Sequence, residues 1–175
     1  MNFIKEIYVR FLPVKQIEIG KIISVNRKDI EVRVDFLSEV VGNGRDPKDT
    51  LYYRFISDRR RLGNPEALEL DGDYMVKKFM DLFGNIERDG FNGSIRVDRV
   101  SGREVNTHYR QGQQKKFFHV ENINGYQLLK GAHRVAIQKY LGETHIPCKV
   151  LKGSKVSYSN YTVFINDIMN ERGAR

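Results

Sequence analysis

The stretch from Tyr126 to Val150 reads YQLLKGAHRVAIQKYLGETHIPCKV, and few backbone paths suit it. A β-prone run ends at Lys130 and Gly131. Apolar residues then recur at helical spacing at Val135, Ala136, Ile137, Tyr140 and Leu141. Gly142 stops that pattern, and HIPCKVL resumes as a strand. The spacing predicts a strand, a glycine loop, a helix over His133–Leu141 that buries those five residues, and a second strand. A helix entered this abruptly turns its free N–H groups and the positive end of its dipole toward the loop. An anion placed there gains several hydrogen bonds. Lys130 precedes the turn, and His133 and Arg134 sit in the first helical turn. Cations at that end oppose the dipole by a few tenths of a kcal/mol each, a cost that an anion would offset. On these residues alone, the competing reading is a plain turn with surface cations.

Upstream, IYVRFL and VKQIEI alternate on either side of Pro13 and read as strands. KIISVNRKDIEVRVDFL reads as an antiparallel hairpin turning at Asn26–Asp29. Gly42–Thr50 is a glycine- and aspartate-rich loop, LYYRFIS a further strand, and Ser57–Asp73 an irregular exposed segment. Tyr74–Phe83 changes to helical spacing, with Asp73 as N-cap and Gly84 as the stop. Ser94–Val100 alternates as a strand, and Ser101–Lys116 reads as a long polar insertion. FFHVENINGYQLL reads as a hairpin turning at Asn124–Gly125. After a polar link, residues 160–175 carry an amphipathic helix with Val163, Phe164, Ile168 and Met169 on one side. Such a tail packs on its own domain or forms a homodimer with a second copy.

The totals set limits. A chain of 175 residues, 40% hydrophobic, suits a single domain over 1–175. It divides into a β-rich part (1–60), a core (73–151) and the C-terminal helix. No window is apolar enough for a membrane span, and the N-terminus lacks a secretory pattern. The lone Cys148 excludes an internal disulfide and a cysteine zinc cluster, which points to a reducing, cytoplasmic setting. The net charge of +8 and pI near 9.6 favour anionic partners, but the charges are interspersed.

The block Gly131, His133, Arg134, Ala136, Leu141, Gly142, Ile146, Pro147 and Val150 resembles the ParB/sulfiredoxin-like superfamily, whose members carry a glycine-x-histidine-arginine turn, an alanine-bearing helix and an isoleucine-proline strand. Gly90, Ile95 and Val97 match more weakly. The resemblance covers residues 73–151. It implies an α+β fold: a mixed sheet with a strand–GxHR loop–helix–strand unit, here preceded by N-terminal β-hairpins. It also implies that Lys130, Gly131, Ala132, His133 and Arg134 cradle nucleotide phosphates, with ATP and magnesium as cofactors.

Three departures separate the family's activities. Ala132 stands where sulfiredoxins carry their catalytic cysteine, and Cys148 is placed in the following strand. The loop differs from that of chromosome-partitioning ParB proteins, and the residues after Val150 are expected to be too few for their helix-turn-helix domain. Lys130 replaces the aspartate that free-serine kinases use as a base, although a lysine can stabilise a transferring phosphoryl group. A kinase-like transfer to a small hydroxylated acceptor then needs Glu69, Asp71, Asp73 or Glu121 as base. Each of these also reads as an ordinary loop or cap residue, and His108 and His119 as ordinary polar ones. The alternatives are a nucleic-acid-binding or ParB-type nuclease module, supported by basic runs at 58–61 and 114–116, and a binding protein without turnover.

Overall fold

The computed structural model describes residues 9–23, 28–58, 71–100, 104–108, 115–119, 125–151, 158–159 and 169–170. Five strands form the main sheet: β1 (Val14–Glu18), β2 (Ile22–Ile23), β3 (Ile95–Val100), β6 (Gly125–Lys130) and β7 (His145–Leu151), in the order β1-β7-β3-β6-β2. The sheet is mixed: β1 runs antiparallel to β7 and β3 antiparallel to β6, while β3–β7 and β6–β2 are parallel. A three-stranded sheet holds β4 (Glu104–His108), β5 (Lys115–His119) and β8 (Tyr158–Ser159). The helices are α1 (Lys28–Leu37), α2 (Leu51–Ser57), α3 (Gly72–Asp89) and α4 (Ala132–Tyr140). The chain is therefore α+β, and the strand–loop–helix–strand unit falls where the sequence places it.

Among the described residues the predicted N-terminal β-hairpins are not formed: β1 pairs with β7 and β2 with β6. Lys28–Leu37 is helical and buries Asp29, Ile30, Val32, Arg33, Phe36 and Leu37, a pattern that closes on a helix face rather than on alternate residues. Leu51–Ser57 is also helical. Thr50 Oγ1 caps it by accepting from the Tyr53 N–H at 3.1 Å, and Tyr52, Phe55 and Ile56 are buried at helical spacing. Of the IYVRFL run, residues 9–11 form a helical turn. The loop at 42–50 holds a 3-10 turn, Pro47–Asp49, capped by Asp46.

Helix α3 is longer than Tyr74–Phe83. Its N-cap is Asp71, which accepts from the Tyr74 N–H at 2.9 Å, and Gly84 lies inside it; Gly90, at φ 75°, ends it. The Ser101–Lys116 segment is not a plain loop, since β4 and the start of β5 lie in it and pair antiparallel. Nor does FFHVENINGYQLL make a hairpin: β5 and β6 belong to different sheets, and residues 120–124 lie outside the described residues. Within α4, Val135, Ala136 and Ile137 are buried as expected, whereas Tyr140 is half-buried and Leu141 exposed. Of the C-terminal helix only Met169 and Asn170 are described, and they are helical. Among the described residues, no helix is long and apolar enough to cross a membrane.

Two apolar cores meet along α4. Ile17, Ile30, Ile95, Val97, Leu128, Val135, Ala136, Ile146 and Cys148 pack between the sheet and the helices. Phe36, Leu37, Tyr52, Phe55, Phe79, Phe83, Ile86 and Ile137 form the second core among α1, α2, α3 and α4. Each fully buried large side chain contributes about 1.5–3 kcal/mol over exposure. The loop at Gly131 is thus clamped between a sheet and an aromatic helix cluster.

Candidate functional site

The glycine loop is set by a close approach. Gly131 has φ 115° and ψ 26° and is the N-cap of α4, where no side chain caps the first turn. A Cβ on Gly131 would lie 2.5 Å from Ile95 Cγ2 and 3.0 Å from Ile95 Cβ. Only glycine lets the loop lie this near central strand β3. The approach brings the start of α4 beside Arg96, the next residue on that strand.

A register shift brings the second cation round. Tyr126 and Leu128 pack with the sheet core, so strict alternation would send Lys130 into that core too. Instead β6 pairs Lys130 with Arg96 and Leu128 with Val97, so Leu129 is an extra residue opposite the Arg96–Val97 step. One extra residue reverses the face of everything beyond it. Lys130 is exposed and stands opposite Arg96. Like charges in that position repel.

These residues line one cleft of about 260 Å³. Asn92, Gly93 and Ser94 form the wall between α3 and β3; Arg96, Lys130 and Arg134 supply the rest. The Arg134 guanidinium lies 6.0 Å from the centre of the Phe91 ring, so the ring supports it beside that wall. Three cations, an amide and a hydroxyl face a common space, and among the described residues no carboxylate lines it. Guanidinium, ammonium, amide and hydroxyl groups are all hydrogen-bond donors, and the first two are donors suited to carboxylate and phosphate oxygens.

His133 turns the other way. Its Nε2 is 3.0 Å from the Tyr52 hydroxyl, and its ring centre is 4.8 Å from that of Phe79. Tyr52 is 1% exposed and packs on Phe36 at 4.7 Å and Phe79 at 5.2 Å. Arg33, ion-paired to Asp29 at 2.8 Å, lies 5.6 Å from the Tyr52 ring centre. His133 therefore ties the loop to the helical core and does not line the cleft, and neither Gly131 nor Ala132 lines it.

The two candidate carboxylates among the described residues, Asp71 and Asp73, do not line the cleft. Asp71 caps α3. Asp73 pairs with Lys48 at 3.0 Å; hydrogen bonds from Lys48 and then Tyr53 hold its carboxyl below the usual range. Both sit at the N-terminal end of an 18-residue helix whose other end leads to Asn92, about 27 Å away along the axis. Glu69 and Glu121 lie outside the described residues. His108 and His119 fall on β4 and β5, in the three-stranded sheet. Cys148 faces the core, and burial pushes its thiol up to about 12, which leaves no thiolate at neutral pH. Of the basic runs, residues 59–61 lie outside the described residues, as does residue 114, while Lys115 and Lys116 open β5.

The sequence reading missed Arg96, Asn92 and Ser94. Arg96 belongs to an alternating strand, where an arginine reads as a solvent-facing residue. The signal that could have found it is the like-charged arginine opposite Lys130, visible only once the register is known.

No family model matches the chain, and no curated protein matches it. Among solved structures, a sulfiredoxin from Arabidopsis thaliana is similar at 18% identity over 81% of this chain and 86% of that one, with a TM-score of 0.35. A superposition that loose carries no argument about activity, so the functional reading rests on the cleft itself.

Proposed function

We propose that this protein binds the phosphate groups of a nucleotide in the cleft formed by Arg96, Lys130 and Arg134. The observation that carries the reading is the convergence of these three cations on one cleft whose described lining contains no acidic side chain. A polyanion in this cleft gains charge-assisted hydrogen bonds from guanidinium and ammonium donors. The superfamily resemblance of the Gly131–Arg134 loop adds the nucleotide to the phosphate.

Kinase-like transfer to a small hydroxylated acceptor asks for more. It needs a base within about 3 Å of the acceptor hydroxyl, and Asp71 and Asp73 stand at the far end of α3 from the Asn92 wall. Lys130 fits the role of a charge stabiliser and not of a base. The reading therefore rests on binding, with transfer as a further step to be assayed by release of nucleoside diphosphate. The net charge of +8 favours the second reading, a nucleic-acid module.

The test is a thermal-shift titration with ATP, CTP, inorganic pyrophosphate and duplex DNA, repeated with Arg134→Ala. ATP and pyrophosphate should stabilise the protein. Loss of one charge-assisted contact, worth about 1.5–3 kcal/mol, should weaken them roughly 10- to 100-fold. If no phosphate compound stabilises the fold and DNA binding ignores the substitution, the cleft reading is wrong.

A further inference from the structure

We infer that the cleft takes the phosphate end of its ligand in the metal-free form, and that magnesium opposes binding rather than supporting it. The inference rests on the phosphate-binding reading above and deepens it. Magnesium asks for oxygen ligands, usually one or two carboxylates beside the phosphates. The described cleft lining offers two guanidinium groups, one ammonium group, the Asn92 amide and the Ser94 hydroxyl. Among the described residues no group of three or more His, Cys, Asp or Glu side chains is placed to hold a metal. This donor set does not fit magnesium. A dication on the phosphates would compete with Arg96, Lys130 and Arg134 for the same non-bridging oxygens and would repel all three. The protein cations already supply the positive charge that a metal provides elsewhere.

The size of the cleft narrows the ligand further. At about 260 Å³ it is smaller than the roughly 300–1,000 Å³ typical of pockets that enclose a drug-sized molecule. A diphosphate or triphosphate end fits, and the base and sugar remain outside. Every polar group on the described lining suits phosphate oxygen. The site therefore recognises a charged end and is indifferent to the base.

The experiment measures the affinities of inorganic pyrophosphate, ATP and CTP by calorimetry, once with EDTA and once with millimolar magnesium chloride at matched ionic strength. In EDTA, the two nucleotides should bind within about threefold of each other and pyrophosphate should compete with both; magnesium should weaken each at least about tenfold. Arg96→Gln should weaken all three ligands in EDTA, with its fold checked by circular dichroism. Tighter or unchanged binding in magnesium overturns the inference while leaving the phosphate cleft standing. Pyrophosphate that neither binds nor competes while ATP does also overturns it, because recognition would then lie in the nucleoside. Absence of binding in both buffers overturns the cleft reading and this inference together.

Discussion

Replacing Gly131 by alanine separates two costs that the loop combines. The first is conformational: at φ 115° an L-residue is well outside the left-handed region it sometimes visits, at roughly 1–2 kcal/mol or more. The second is steric. The new methyl would lie 2.5 Å from Ile95 Cγ2 and 3.0 Å from Ile95 Cβ, and Ile95 is fully buried on the central strand of the main sheet. It cannot swing aside, so overpacking adds about 1–3 kcal/mol. The expected loss is about 2–5 kcal/mol, a large share of the roughly 5–15 kcal/mol that holds a domain of this kind together. Gly142→Ala is the matched control: Gly142 has φ 77°, and nothing lies within 4 Å of where the new methyl would stand. It should lose only the conformational part, about 1 kcal/mol. Urea unfolding of both variants gives the difference directly. Equal losses would refute the claim that the loop is pressed against β3. If the loop instead retreats from Ile95, Arg134 is displaced in the cleft it shares with Arg96, and pyrophosphate affinity falls along with stability.

Tyr52→Phe keeps the ring in its aromatic cluster and deletes the hydroxyl that meets His133 Nε2 at 3.0 Å. It should cost about 1–2 kcal/mol in urea unfolding and shift the His133 ring proton resonances; an unshifted spectrum would mean that the bond does not form. Burial pushes the Cys148 thiol from 9.0 to about 12, so the folded state keeps a proton that the unfolded chain gives up. The stability contributed by the protonated thiol is complete below pH 9 and is lost as the pH rises from there toward 12. Thermal melts across that range, set against Cys148→Ala, should show a steeper alkaline loss in the parent protein, and parallel curves would contradict the burial argument.

The sequence conveyed the loop–helix–strand unit well because local and long-range signals agree there: Gly131 ends a strand, Gly142 ends a helix, and Val135, Ala136 and Ile137 are buried between them. It misled over α1. Ile30, Val32 and Val34 alternate with Glu31, Arg33 and Asp35, a strand-like pattern of β-branched residues. The pattern fails at Arg33, a buried charge neutralised one helical turn away by Asp29. Reading arginine as solvent-facing hid the helix. In α2, Tyr52, Phe55 and Ile56 are β-prone residues held helical by tertiary packing. The Thr50 cap was the available clue. The cleft was half legible: Lys130 and Arg134 lie in the motif, whereas Arg96 enters through strand pairing that no local pattern encodes. His133 was read as a ligand for the anion because its partner, Tyr52, is 81 residues away along the chain.

The extra residue at Leu129 bears on how such a site can arise or vanish. Substitution is the usual route by which a binding residue is gained, but here the decisive feature is a bulge in the pairing. Were β6 to pair regularly to its end, the same letters in the same order would put the lysine on the face of Tyr126 and Leu128 and aim an ammonium group at the apolar core. A strand one residue shorter after Leu128 would turn its lysine outward with no bulge at all. Comparing related chains that keep the glycine loop therefore calls for the pairing of the preceding strand, because register and residue count together decide which way the cation faces.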